Sequence, residues 1–67
     1  MKGKVKWYEP SMGYGFIVNE EGENIFVTKT DIINSFEPLL KDGEEVEFNE
    51  VKEPLGLQAR NVVKILL

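Results

Sequence analysis

Sixty-seven residues with a formal net charge of −4, no cysteine and no histidine allow one small domain, spanning 1–67, without a disulfide or a thiolate metal site. No apolar run of about 18 residues and no apolar leader occur, which excludes a membrane span and points to a soluble chain in the cytoplasm. The acidic sum argues against a generic electrostatic binder of nucleic acid. Its distribution leaves two readings open, because Lys2, Lys4 and Lys6 crowd the first seven residues while acids gather at Glu20, Glu21 and Glu23 and again over 42–53: a locally positive edge, or charge that only solvates.

Periodicity is two along the whole chain, the signature of strands. A first strand is predicted over 2–8, with lysines alternating and Val5 facing the other way, followed by turn chemistry in Glu9-Pro10-Ser11-Met12-Gly13. A second, over 14–19, sets Tyr14, Phe16 and Val18 on one face and Ile17 on the other. After a Glu20-Glu21-Gly22-Glu23 turn, a third over 24–28 sends Phe26 and Thr28 one way and Ile25 and Val27 the other. One helical turn is expected over 30–33, with Thr30 or Asp31 as its N-cap, and 34–42 is irregular. A fourth strand over 44–51 points Val46 and Phe48 inward. A turn at Glu53-Pro54-Leu55-Gly56 then leads into a fifth strand over 57–65. Five short strands without a long helix specify an all-β fold, a five-stranded antiparallel closed barrel, since closure removes free edges and buries one face.

The aromatic residues break the solubility rule. Ile17, Ile25 and Val27 can supply the core, which leaves Tyr14, Phe16 and Phe26 on the opposite face of one hairpin. Flat rings beside lysines suit stacking of bases from a single strand, and Gly13 and Gly15 are expected to leave room for a base. The inverse arrangement, rings inside and aliphatics outside, has the same period but would expose three β-branched residues. Strict alternation places Trp7 with Val5 in the core; a bulge at the strand end would turn it outward.

Catalysis finds no support. Histidine and cysteine are absent, Ser11 and Ser35 have no partner base, and Gly13-Tyr14-Gly15 lacks the third glycine of a dinucleotide loop, Val18 standing there. The acids around Gly22 do not have calcium-loop spacing. No enzyme activity and no cofactor are expected.

The chain resembles the cold-shock domain over nearly its whole length. Gly3-Lys4-Val5-Lys6-Trp7-Tyr8 is similar to that family's opening strand, Gly13-Tyr14-Gly15-Phe16-Ile17 to its first ribonucleoprotein motif, and Ile25-Phe26-Val27-Thr28 to its second. Gly43-Glu44-Glu45-Val46-Glu47-Phe48 and Gly56-Leu57-Gln58-Ala59-Arg60-Asn61-Val62 resemble its fourth and fifth strands. The resemblance implies an OB-fold barrel that binds single-stranded RNA and DNA with low sequence specificity and acts as an RNA chaperone. It also implies an outward Trp7 and a contact set of Lys6, Trp7, Tyr14, Phe16 and Phe26, joined by Thr28, Lys29, Phe36 and Arg60. Met12 stands where the family has lysine, Thr28 where it has histidine and Lys29 where it has an aromatic, so a phosphate contact and two stacking platforms are missing. Two rival readings therefore stand beside it: a protein-interaction module on the same barrel, and a family member with weakened or lost binding. A monomer is expected rather than a dimer, although Ile65-Leu66-Leu67 is apolar enough to close the core or form a seam.

Overall fold

The computed structural model describes residues 1–33 and 39–65. Five strands, β1 (Lys2–Glu9), β2 (Tyr14–Asn19), β3 (Asn24–Thr28), β4 (Glu45–Glu53) and β5 (Gly56–Lys64), close into a barrel in the order β1-β2-β3-β5-β4. The predicted bounds lie within two residues of these. The expected antiparallel pairing holds for β1–β2, β2–β3, β4–β5 and β4–β1. The seam that completes the barrel differs: β3 and β5 run parallel, meeting at Phe26 and Gln58. Direction alternates from each strand to the next along the chain, and the long connection between β3 and β4 carries β4 across to pair with β1, so closure brings together β3 and β5, two strands that run the same way.

The interior is aliphatic, as the alternation requires. Ile17, Ile25, Val27, Val46, Ala59 and Val62 have no solvent exposure, and Val5, Tyr8 and Phe48 join them. Burying a side chain of this size contributes about 1.5–3 kcal/mol, enough in sum to hold a domain that has no other staple. Leu39 and Leu40, from the connection before β4, cap this core.

Two bulges interrupt the period of two, and both occur where an extra residue is turned outward. In β1 the pairing with β2 shifts between Val5 and Trp7, so that Val5 faces Ile17 and Trp7 already faces Phe16. Val5 points in, Lys6 and Trp7 both point out, and Tyr8 points in again. In β5 the pairing with β4 shifts between Asn49 and Glu47. Arg60 and Asn61 stay on the outside between buried Ala59 and Val62, with Asn61 in the left-handed region at φ 54°, a conformation asparagine tolerates better than most residues.

The helical turn forms one residue earlier than predicted. Lys29–Asp31 is a single 3₁₀ turn with Thr28, not Thr30 or Asp31, at its N-cap. The reason is a hydrogen bond running backwards: the Asp31 carboxylate accepts the Thr28 N–H at 3.1 Å, satisfying a donor that the end of β3 leaves open. Ile32 then returns to the barrel, bridging to Val62 while Ile33 N–H donates to the Val62 carbonyl at 2.9 Å. Phe36 lies outside the described residues, as do Leu66 and Leu67. Ile65 is held at the end of β5 by a backbone bond to Glu45.

Candidate nucleic-acid interface

Four rings share one outer face of the barrel. The bulge in β1 sets Trp7 against Phe16 at 5.6 Å and Tyr14 at 5.5 Å between ring centroids. The β2–β3 register, with Phe16 opposite Phe26 and Tyr14 opposite Thr28, sets Phe26 at 5.5 Å from Phe16 and 5.8 Å from Tyr14. The contacts are edge-on or tilted, so each ring rests on its neighbour's rim and part of its own face stays open. Trp7 is 37 % exposed, and the other three are half-buried. A surface of four aromatic rings is costly in water and calls for an occupant.

Gly15 plays a different part from the one the sequence indicates. It is buried, paired with Tyr8 under the bulge, and a Cβ there would lie 2.2 Å from the Trp7 carbonyl oxygen. The space its missing side chain leaves is taken by the β1 backbone, and not by a base. Gly15 is thus the condition for Trp7 turning outward. Gly13, with φ 74°, serves the β1–β2 turn, where its carbonyl accepts the Lys29 N–H at 2.8 Å.

The charge around the rings is sparse. Lys2 and Lys4 face Glu47 and Glu45 across the β1–β4 pair, so the positive edge expected at the N-terminus is interleaved with acid along most of its length. Lys6, beside Trp7 on the bulge, is exposed with its Nζ 3.5 Å from Asn24 Oδ1, a weak contact that a phosphate can displace. Lys29 is exposed on the far side of the rings, at the start of the 3₁₀ turn. Met12, on the β1–β2 turn, is 66 % exposed and offers no charge.

Asp31 is the polar centre of this region, and sequence reasoning gave it no functional role beyond a possible cap. Its side chain is 5 % exposed and forms an ion pair with Arg60 at 2.8 Å. It also accepts the Thr28 hydroxyl at 2.8 Å and the Gln58 amide at 3.1 Å, while Thr28 Oγ1 lies 3.1 Å from Thr30 Oγ1. Thr28 and Arg60, both expected to touch ligand, are therefore engaged with a buried carboxylate. The guanidinium keeps 43 % of its side chain open to solvent. No local pattern marks this cluster, because Arg60 lies 29 residues from Asp31 and the two meet only when β3 and β5 come together.

Burial by itself would raise the Asp31 carboxyl above its ordinary value, but the hydrogen bonds from Gln58, Thr28 and Arg60 outweigh it and hold the group below. A depressed folded value means that the unfolded chain takes up its proton first as pH falls. The stability Asp31 contributes is thus complete above the ordinary aspartate value of about 3.9 and lost as pH drops through the lower folded value. Asp31→Asn is expected to cost about 1–3 kcal/mol at neutral pH. Urea midpoints of parent and variant should converge below about pH 4; parallel midpoints down to strong acid would show that the carboxylate carries no such linkage.

Comparison with known proteins points the same way as the geometry. The family model described as 'Cold-shock' DNA-binding domain matches residues 1–65. The chain is 42 % identical over 65 residues to the cold shock-like protein CspC of Bacillus cereus, covering 97 % of this chain and all of that one. It is 45 % identical over 64 residues to the cold shock protein CspB of Bacillus caldolyticus, covering 96 % and 97 %. A cold shock-like protein of Thermotoga maritima is 42 % identical over 62 residues, covering 92 % and 94 %.

Proposed function

The chain belongs to the 'cold-shock' DNA-binding domain family, whose members generally bind nucleic acid, and we propose that it binds single-stranded RNA and DNA by stacking bases on Trp7, Tyr14, Phe16 and Phe26. The observation that carries this reading is the sidedness of the β2–β3 hairpin, with Ile17, Ile25 and Val27 wholly buried and the rings outside in mutual contact. Stacking is indifferent to which base is offered and contributes about 1–3 kcal/mol per base. A modest affinity for unstructured strands, with release of weak secondary structure, is the activity such a surface supports, and it is the activity of an RNA chaperone in the cytoplasm. A duplex keeps its bases stacked on one another and offers the rings nothing, so it competes poorly. The barrel acts as a monomer, since one copy carries the whole ring cluster. No helix among the described residues is long and apolar enough to cross a membrane.

The sparse cations set the balance of forces. Lys6 and Lys29 flank the rings, Met12 brings no charge, and Arg60 is committed to Asp31. Oligothymidine and unstructured RNA are expected to quench Trp7 fluorescence, because a base stacked on the indole alters its emission directly. With two phosphate contacts and a single-strand slope of about −0.7 per contact, the log–log salt dependence should be about −1.4. Unchanged emission at high oligonucleotide concentration would sink the binding reading, and a slope steeper than about −4 would mean that charge, not stacking, dominates.

A further inference from the structure

The row of lysines on β1 changes character along its length. Lys2, Lys4 and Lys6 are all exposed. Lys6 stands beside Trp7 with the neutral Asn24 as its hydrogen-bond partner. Lys4 and Lys2 lie directly opposite Glu45 and Glu47 of β4. Residues opposite one another in an antiparallel pair share a face, with Cβ atoms about 4.5–5.5 Å apart. Among the described residues neither of these two lysines closes an ion pair, so charges of both signs stand side by side in water.

The outer face carries on past the rings in this direction. Val18 follows Phe16 on the same side of β2, and its row across the sheet runs Asn24, Val18, Lys4, Glu45. The surface there dips into a groove of about 530 Å³ lined by Lys2, Lys4, Val18, Glu20, Glu45 and Ile65. An apolar floor edged with lysines has the shape to lead a strand onward from the ring platform. Its charge is wrong for that task, since the carboxylates of Glu20, Glu45 and Glu47 stand among the two lysines and all three are exposed. We propose that these carboxylates, Glu45 and Glu47 above all, end the single-strand track at Trp7 and Phe16, so that Lys2 and Lys4 take no part in binding. A phosphate that approaches Lys2 or Lys4 meets one attraction and one repulsion at similar range, and at a few ångströms in water the two are of similar size and cancel. The proposal rests on the single-strand reading above and adds to it what limits the length of strand held.

The test titrates the full chain with hexathymidine, long enough to cover the four rings, and with dodecathymidine, with Trp7 emission as the readout. Glu45→Gln combined with Glu47→Gln is expected to bind the dodecamer about fivefold tighter than the parent does, the scale of two like charges removed at a few ångströms in water. The hexamer should gain less than about twofold, because its phosphates stay near or beyond the screening length from both sites. For the dodecamer the log–log salt slope should steepen from about −1.4 to about −2.8 as Lys2 and Lys4 each take a phosphate. In the parent, Lys2→Ala combined with Lys4→Ala should move dodecamer affinity by less than about twofold; in the glutamine background the same pair should undo the gain. All four side chains are exposed, so every variant should fold, and circular dichroism checks it. A clear loss of dodecamer affinity on replacing the two lysines in the parent would mean that they already hold phosphate, and the proposal is overturned. It is overturned equally if the glutamine variant keeps the parent's affinity and slope while the hexamer still quenches, an outcome that leaves the stacking proposal standing. If neither oligonucleotide changes the emission of parent or variant, the single-strand reading falls, and this limit on strand length falls with it.

Discussion

Phe16→Ala combined with Phe26→Ala is expected to abolish binding of single-stranded oligonucleotides while the barrel remains folded. The two rings face each other across the β2–β3 pair, and each also touches another ring, Phe16 touching Trp7 and Phe26 touching Tyr14. Removing one costs the stacking of one base, about 1–3 kcal/mol, or roughly 5- to 150-fold in affinity. Removing both also takes away the lateral support of Trp7 and Tyr14, so a loss of about 2–6 kcal/mol puts binding of a modest ligand beyond detection. The fold should survive because the side chains between the two rings' positions on the inner face, Ile17, Ile25 and Val27, are untouched and wholly buried. Circular dichroism and a cooperative urea transition would establish that, and gel shift or fluorescence anisotropy would read the affinity. A folded double variant that binds within about threefold of the parent would end the stacking proposal; the exposed rings would then serve a protein partner.

The second large effect is on folding. Gly15→Ala is expected to remove the native state or to destabilise it by more than about 3 kcal/mol, because its Cβ would stand 2.2 Å from the Trp7 carbonyl oxygen and 2.7 Å from the Tyr8 Cα. Both are backbone atoms that cannot rotate aside. Relief requires β1 to move off β2, and that opens the barrel at the bulge. A domain of this size has about 3–10 kcal/mol of stability in total, so the loss is a large share of it. Gly22→Ala is the control. Gly22 also has a demanding backbone, with φ 82°, but nothing stands within 4 Å of its missing Cβ. Its cost should be only the left-handed strain of about 1–2 kcal/mol. Equal effects of the two substitutions on the urea midpoint would mean that Gly15 is not packed under the β1 backbone and that the bulge does not depend on it.

The reading of the chain and the folded barrel agree most closely where a side chain's surroundings are set by its immediate neighbours. Alternation of Ile17, Ile25 and Val27 with Tyr14, Phe16 and Phe26 reveals which face is core, because a strand's two faces follow from period alone. The five strands and their hairpins follow from the same pattern and from turn residues. Trp7 marks the limit of that logic. Its alternation puts it inside; only resemblance, or a bulge that alternation cannot anticipate, puts it outside. The bulge in turn needs Gly15 from another strand. Lys2 and Lys4 show the same limit in charge, for their opposition to Glu47 and Glu45 depends on a β1–β4 register that spans the whole chain.

Local order in the chain was enough to establish an all-β barrel with an aromatic outer face, since period two and turn chemistry act over a few residues. The buried Asp31 with Thr28, Gln58 and Arg60 and the parallel seam at Phe26 came only from closure of the barrel. Hydrogen bonds and ion pairs form between whatever groups are brought within about 3 Å, and across a closing seam those groups carry no shared mark in the one-dimensional order.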